Sequence, residues 1–196
     1  MSVTKKEIAS LVSDFSIEVT PASAERVEAF ADHLVPGTSI NVTFLPGSSF
    51  KDTIRVSRRI HEEGFKPIPH LAARNFESSK ALEQSLDNLT SHANVEEVLI
   101  IAGGLDSPLG PYHSTMQILG SGLLEKYSIK KIGIAGHPEG SPDISNSDID
   151  AALNDKNAWA RNTDIEVYIA TQFCFEASVI LDWEARIKKL GNTLPI

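Results

Sequence analysis

The sequence predicts an α/β fold in which parallel βα units follow one another into an incomplete (β/α)8 barrel. Short apolar runs rich in β-branched residues recur along the chain, and longer segments with helical spacing separate them. Such alternation is typical of parallel strands joined by helical crossovers. No glycine-rich dinucleotide loop follows the first run, whereas polar residues end run after run, and this pattern favours a barrel over a doubly wound sheet.

Six runs predict the strands of this fold. They are FSIEVT (15–20), SINVTF (39–44), KPIPHL (66–71), EVLIIAG (97–103), KKIGIAG (130–136) and EVYIATQF (166–173). Helical spacing is found after the segment PASAERVEAF, around Ala29 and Leu34, and again in residues 77–92. The order β-α-β-α therefore extends along the whole chain.

The length of the chain allows about six and a half such units. A unit takes about 30 residues and a closed eightfold barrel roughly 250, whereas the chain has 196. GNTLPI (191–196) is expected to begin a seventh strand, after a helix that Gly191 ends. We therefore predict a single (β/α) barrel domain over residues 1–196, either truncated at its C-terminus or open and completed by another chain.

Composition narrows the classes of function. The formal net charge is -8 and the 18 Lys and Arg residues are dispersed, which argues against nucleic acid as the main partner. Cys174 is the single cysteine, so no intramolecular disulfide forms and a reducing compartment fits. We expect neither a leader peptide nor a membrane span, because the segment MSVTKKEIAS and the rest of the sequence lack the apolar runs that these need. We expect a cytoplasmic protein with a small-molecule partner, and homo-oligomer formation stays open.

Glu18 is the candidate catalytic residue on chemical grounds. Alternation places it opposite Ile17 and Val19 in an apolar strand, where a carboxylate without a partner or a role is costly. Burial is expected to raise its pKa and to make it a general acid near neutral pH. The alternative is a structural ion pair with a lysine or arginine.

Other strand-end residues are candidates for ligand binding. His70 and His137 are interpreted as hydrogen-bonding or packing residues and not as metal ligands, because HxH and HExxH spacings are absent. The amide of Gln172 suits one edge of a heterocycle and equally suits a backbone cap. Gly103 and Gly104 allow either close approach of a ligand or a turn with positive φ.

Five strand-end motifs occur in a defined order along the chain. They are FSIEVTP (15–21), VTF (42–44), PHL (69–71), AGHPEG (135–140) and ATQFCFE (170–176). As an ordered set covering nearly the whole chain, they resemble the methylenetetrahydrofolate reductase family. The resemblance implies a (β/α)8 TIM barrel, and an oxidoreductase of one-carbon metabolism and methionine biosynthesis. It would reduce methylenetetrahydrofolate to methyltetrahydrofolate with NAD(P)H as hydride donor, and FAD usually carries the hydride as in a flavoprotein.

The resemblance also implies roles for individual residues. Glu18 would be the general acid that protonates the folate and opens its five-membered ring to an iminium, the acceptor of the hydride. Gln172 would hydrogen-bond the pterin, and Thr43 would contact both substrate and cofactor. The remaining cofactor-binding residues would be His70, Ala102, Gly103, Gly104, His137, Glu139 and Lys156, of which Lys156 would meet a phosphate.

One strand end departs from the family pattern. Family members carry Arg-Gly-Asp at the end of the fourth strand, where this chain has Ala102, Gly103 and Gly104, with Asp106 two residues later. The first hypothesis is a reductase of this family, including an atypical form that uses little or no flavin and takes the hydride directly from a nicotinamide. The second is a non-reducing homologue that binds folate, as a methyl-transfer partner or regulatory subunit.

Overall fold

The computed structural model describes residues 3–45 and 47–196. Within these residues, six parallel strands form one sheet, and eight α-helices and two 3₁₀ turns accompany them. The strands are β1 (Ser16–Val19), β2 (Ser39–Val42), β3 (Lys66–Ala72), β4 (Glu97–Ile101), β5 (Lys131–Gly136) and β6 (Glu166–Thr171). The helices are α1 (Lys5–Leu11), α2 (Pro21–Ala24), α3 (Phe50–Glu62), α4 (Ser79–Ala93), α5 (Thr115–Leu119), α6 (Leu123–Lys126), α7 (Asn146–Ala160) and α8 (Ala177–Lys189). The 3₁₀ turns are Phe30–Asp32 and Ala73–Asn75.

The sheet is a curled half-barrel with the strands in the order of the sequence, β1-β2-β3-β4-β5-β6. Every neighbouring pair is parallel, and the register places Glu18 beside Asn41 and Leu99 beside Gly133. The predicted α/β class and all six predicted strands are confirmed. A closed eightfold barrel is not found in the described residues, because β1 and β6 do not pair with each other; the arrangement is compatible with a partial TIM-like fold.

Helix ends follow local side-chain chemistry. Serine hydroxyls accept hydrogen bonds from backbone N–H groups at the first turns of three helices, which satisfies donors that the helix itself leaves free. These are Ser49 before α3, Ser78 before α4 and Ser145 before α7. Asn94 ends α4 in the left-handed conformation, so the helix predicted in 77–92 is confirmed.

The hydrophobic core lies on the outer face of the sheet, beneath the helices. Its larger cluster joins β3 to β6 with α4, α7 and α8, and includes Ile100 and Ile134 together with Leu86 and Trp183. A smaller cluster joins β1 and β2 to α3 through residues such as Ile40 and Ile60. Because alternate strand residues face opposite ways, the other face of each strand is free to carry polar side chains.

The prediction of a helix around Ala29 and Leu34 is wrong. Apart from α2 and one 3₁₀ turn, this region is irregular. The guanidinium of Arg59 donates to the backbone oxygens of Ala24, Val27 and Glu28 at 2.8, 2.7 and 3.1 Å. The Ala24 oxygen also accepts from the Val27 N–H at 3.1 Å, whereas the Val27 and Glu28 oxygens accept from this side chain of α3. A long-range contact therefore outweighs the local pattern.

The last residues lie beside β6. The N–H of Ile169 donates to the oxygen of Pro195 at 2.8 Å, and Leu194 packs against the larger core cluster. Gly191 follows the end of α8 with φ +98, as expected for a helix stop. The predicted seventh strand is thus represented by this contact and not by a strand among the described residues.

Candidate functional site

The carboxyl ends of parallel strands meet at one edge of the half-barrel, and the concave face beside that edge holds most of the predicted site residues. Period-2 alternation and the strand register put one set of side chains on this face. In strand order, those at or near the carboxyl ends are Glu18, Asn41, Thr43, His70, Ile101, His137 and Gln172. In open and closed parallel barrels alike, this edge is where βα loops build ligand sites.

Three side chains meet at the ends of β1, β2 and β3. The Nε2 atom of His70 lies 3.4 Å from Oδ1 of Asn41 and 3.9 Å from Oε2 of Glu18. The Asn41 amide nitrogen is 3.4 Å from the Ile17 oxygen, so its Oδ1 is left to accept from His70. Burial lowers the pKa of His70, and the Glu18 carboxylate opposes that shift. A neutral imidazole near pH 7 therefore stands next to a carboxylate.

The prediction that Glu18 is buried is wrong. Its side chain is 61% exposed, whereas that of His70 is 7% exposed. The apolar neighbours Ile17 and Val19 lie in the same strand, but the concave face in front of Glu18 is open to solvent because the sheet is a half-barrel. The carboxylate lies 3.9 Å from a histidine, and no lysine or arginine among the described residues forms the ion pair of the alternative interpretation.

Thr43 follows β2 on the same face. Its backbone N–H donates to the oxygen of Val19 at 2.8 Å, which ties the two strand ends together. Its Oγ1 atom is buried and has no hydrogen-bond partner among residues 3–45 and 47–196. A buried hydroxyl without a partner costs free energy, so this atom is suited to a hydrogen bond from a ligand.

The ends of β5 and β6 form the second half of the site. His137 follows β5 and is half-buried, and Gln172 beside it anchors the next strand end through its N–H, which donates to the Gly136 oxygen at 2.9 Å. Glu139 is exposed in the same loop. Gln172 is also exposed, so its amide is accessible to a ligand.

Lys156 is the buried cation of this half. It lies in α7 with 8% of its surface exposed, and it makes no ion pair or hydrogen bond within the described part of the chain. Burial lowers its pKa. Burial also lowers the pKa of His137, and the charge of Lys156 lowers it further. A buried ammonium without a carboxylate is costly, and an anionic ligand would compensate it.

The end of β4 lies between these two halves. The Ala102 oxygen accepts from the N–H of Arg74 at 2.9 Å. Gly103 has φ +91, and a Cβ there would lie 2.9 Å from Oδ1 of Asn75, so both the backbone conformation and the close packing require glycine. Gly104 and Asp106 are exposed. The turn with positive φ is therefore confirmed at Gly103, and Gly104 is accessible to a ligand.

The sequence did not single out a second group on the concave face, nearer the amino ends of the strands. Lys131 of β5 is 3.4 Å from the Glu166 carboxylate and lies over the Tyr168 ring at 4.9 Å. Burial raises the pKa of Tyr168, and the nearby Glu97 carboxylate adds to the shift. These residues alternate with apolar ones in their strands, and this alternation in the sequence could have identified them as residues of the concave face. Asn41 was visible in the same way, as a polar residue opposite Ile40 and Val42.

The described residues contain no group of three or more His, Cys, Asp or Glu side chains that could hold a metal ion. No helix in residues 3–45 and 47–196 has both the length and the apolar character needed to cross a membrane. Comparison of the chain with known protein-family models gives no match.

Proposed function

We propose that the chain carries a methylenetetrahydrofolate reductase-type site, with Glu18 as general acid. The observation that carries this proposal is the order of groups along the open edge. An accessible carboxylate beside a buried, neutral histidine occupies the ends of β1 to β3. An accessible amide and a half-buried histidine follow β6 and β5, and the buried Lys156 of α7 lowers the pKa of that histidine. This order matches what the motif resemblance implies for acid, pterin and phosphate groups.

Glu18, which takes up a proton from solvent because its side chain is 61% exposed, would donate that proton to one of the two nitrogens that the methylene carbon bridges. The bond between that nitrogen and the carbon then breaks, and the nitrogen keeps the bonding electrons. The five-membered ring opens to an iminium cation, which accepts a hydride. His70, held by Asn41, positions the carboxyl group of Glu18 without competing as a cation, because burial lowers its pKa. The Gln172 amide would hydrogen-bond the pterin edge through one donor and one acceptor.

A cofactor carrying phosphate fits the second half of the site. Lys156, in this half, is a buried cation that needs an anion. Thr43, at the end of β2 in the other half, offers a buried hydroxyl that has no partner among the described residues. Bound FAD would supply hydride transfer between NAD(P)H and the substrate. Residues 102–104 supply no carboxylate near such a ring. The chain therefore offers partners for the phosphate groups of a flavin or nicotinamide nucleotide. It offers no carboxylate from residues 102–104 to adjust the reactivity of a flavin ring.

The second candidate is a folate-binding homologue that does not reduce its ligand, acting as a methyl-transfer partner or regulatory subunit. Two observations favour it. No acid stands at positions 102–104, and Glu18 is exposed instead of enclosed. A proton donor in an open site exchanges with water, and this weakens general acid catalysis relative to an enclosed one.

Turnover by the purified chain tests both candidates. The visible spectrum reports bound flavin, and oxidation of NADH or NADPH is followed with methylenetetrahydrofolate present. We expect Glu18→Gln to lower turnover by about 100-fold or more while folate affinity changes little. Glu125→Gln, at an exposed position on α6, is the matched control and should leave turnover unchanged.

The outcomes separate the two candidates. Folate binding without turnover by the unsubstituted chain rejects the reductase and favours the non-reducing homologue. Turnover that survives Glu18→Gln rejects the acid role of Glu18. Absence of folate binding rejects both candidates.

A further inference from the structure

A separate cavity of about 440 Å³ lies on the helix side of the carboxyl edge, between the starts of α3 and α4 and the loop that follows β4. Its volume is in the range of small-molecule sites, roughly 300 to 1,000 Å³. Thr43 is on the concave face, whereas the next residue, Phe44, faces this cavity. The cavity thus belongs to neither half of the site described above.

Three phenylalanine rings form one wall of the cavity. The ring centroids of Phe44 and Phe50 are 6.0 Å apart, and those of Phe50 and Phe76 are 5.3 Å apart, with tilted planes. Phe44 and Phe76 are 8% and 5% exposed. Aromatic rings at these separations and tilts favour a further aromatic ring in edge or offset contact.

The opposite wall is held in place before any ligand binds. Leu105 and Leu109 line it, and Arg74 fixes both. The Arg74 guanidinium donates to the Leu105 oxygen at 3.0 Å, and the Leu109 N–H donates to the Arg74 oxygen at 2.9 Å. A Cβ on Gly110 would lie 2.4 Å from the backbone of Glu77, so the loop packs directly on the start of α4. A preformed cavity saves the entropy of ordering a loop on binding.

The polar groups of the cavity restrict the charge of its ligand. Glu77 is exposed and is the only charged side chain among the described residues that line the cavity. Asn75 also lines it, and its side-chain amide has no hydrogen bond to any residue in 3–45 or 47–196. An amide offers one acceptor and two donors to the edge of a ring. A carboxylate at the rim, with no lining cation, repels anions.

We propose that the Phe44–Phe50–Phe76 cavity binds a planar heteroaromatic compound that is uncharged or cationic, with its hydrogen-bonding edge toward Asn75. The proposal is independent of the folate site, whose ligands are anionic and whose residues lie on the other face of β2. A failure of the reductase hypothesis would leave it intact.

Three bicyclic probes of one shape and different charge test the proposal. They are 4-aminoquinoline as the cation, quinolin-2-one as the uncharged compound and quinoline-4-carboxylate as the anion. Binding is measured by ligand-observed NMR, and backbone amide shifts locate the site. We expect the first two probes to bind and to shift the amides of residues 75–77 and Ala81, and the anion to bind at least about tenfold more weakly.

Two substitutions probe the cavity without removing its core. Ala81 is half-buried in α4 and lines the cavity, so Ala81→Phe should fill it and lower affinity for the two binding probes by about tenfold or more. Ala185→Phe places the same side chain on an exposed position of α8 and should leave binding unchanged. Glu77→Lys should reverse the order of affinity between the cationic and anionic probes.

Binding of the cationic and uncharged probes that is lost with Ala81→Phe and reordered by Glu77→Lys supports the proposal. Three results overturn it: no probe binds at millimolar concentration, Ala81→Phe binds as well as the unsubstituted chain, or the anion binds best before substitution. Unchanged circular dichroism spectra show that each variant is folded, so a loss of binding is assigned to the cavity.

Discussion

The two faces of the sheet differ in polarity and exposure: the outer face contributes the core, and the concave face carries the candidate functional residues. The outer face is apolar and covered by helices, with Ile40, Leu71, Ile100 and Ile132 completely buried. The concave face carries carboxylates, amides, histidines and a lysine, and several of them are exposed. Because consecutive residues of a strand face opposite ways, stability and candidate chemistry are separated by a single residue along the chain. This separation lets either face change with little effect on the other.

Neighbouring isoleucines of β4 give the strongest test of this comparison. Ile100 faces the helices and is fully buried, whereas Ile101 is half-buried on the concave face. We expect Ile100→Ala to lower the free energy of unfolding by about 2 to 5 kcal/mol, because it leaves a cavity in the core. Ile101→Ala should cost less than half as much. Urea denaturation followed by circular dichroism measures both, and equal losses would contradict the difference between the faces.

Two glycines of β5 sharpen the comparison at a smaller scale. A Cβ on Gly136 would meet Ile169 at 2.5 Å and the Trp183 ring at 2.9 Å, both on the outer face. We expect Gly136→Ala to cost about 1 to 3 kcal/mol through overpacking. A Cβ on Gly133 would meet the hydroxyl end of Tyr168 at 2.8 Å, and that end can move into the open concave space. Gly133→Ala should therefore cost less in the same denaturation experiment, and a larger cost would mean that the concave face is rigid.

Acid should weaken the fold through two histidines of the concave face, the buried His70 and the half-buried His137. Burial lowers the pKa of His70 below its ordinary value of 6.5, despite Glu18 beside it, and burial with Lys156 lowers that of His137. The unfolded chain binds more protons than the folded chain in this window, so stability rises with pH there. We expect the free energy of unfolding to fall as pH drops from 7 through 6.5 toward the lowered pKa values of the two histidines.

His70→Asn should reduce this slope, because one of the two titrating groups is removed. His61→Asn, at an exposed position of α3, is the control and should leave it unchanged. Denaturation midpoints measured between pH 7 and pH 5 decide the question. If the pH dependence of stability were the same in His70→Asn as in the unsubstituted chain, His70 would not be its cause.

Glu18→Gln should have the smallest effect on stability. The side chain is 61% exposed, and substitutions at such positions usually change the free energy of unfolding by no more than about 0.5 kcal/mol. The same variant is expected to lose turnover. Among these substitutions it should therefore combine the largest loss of activity with the smallest change in the free energy of unfolding. Thermal unfolding beside the activity assay measures both quantities. A large loss of stability would show that Glu18 has a structural role.

The strands were predictable because their signal is local. Runs such as 97–101 are apolar and β-branched, and their alternation also identifies the face on which each residue lies. The irregular segment after α2 was not predictable, because Arg59 is distant in the sequence and supplies the hydrogen bonds that replace a helix. The incomplete barrel, in contrast, was predictable from the length of the chain, because 196 residues supply too few βα units for eight strands.

For the candidate site, the sequence indicated which side chains lie at strand ends but not how they meet. Glu18 and His70 were both predicted as site residues, yet their proximity depends on the curl of β1 to β3. The exposure of Glu18 depends on what covers the concave face, and no local pattern contains that information. The phenylalanines of the separate cavity are spread over residues 44–76, so no motif could reveal them.

The strictly sequential order of the strands has a consequence for how the chain is made and taken apart. Every strand pairs only with those next to it in the sequence, so each new βα unit can dock on the preceding one as it leaves the ribosome. The same order predicts that mechanical pulling on the two termini peels units from the edges toward the middle. Amide hydrogens of β3 and β4, the two strands farthest from the sheet edges, should then exchange last.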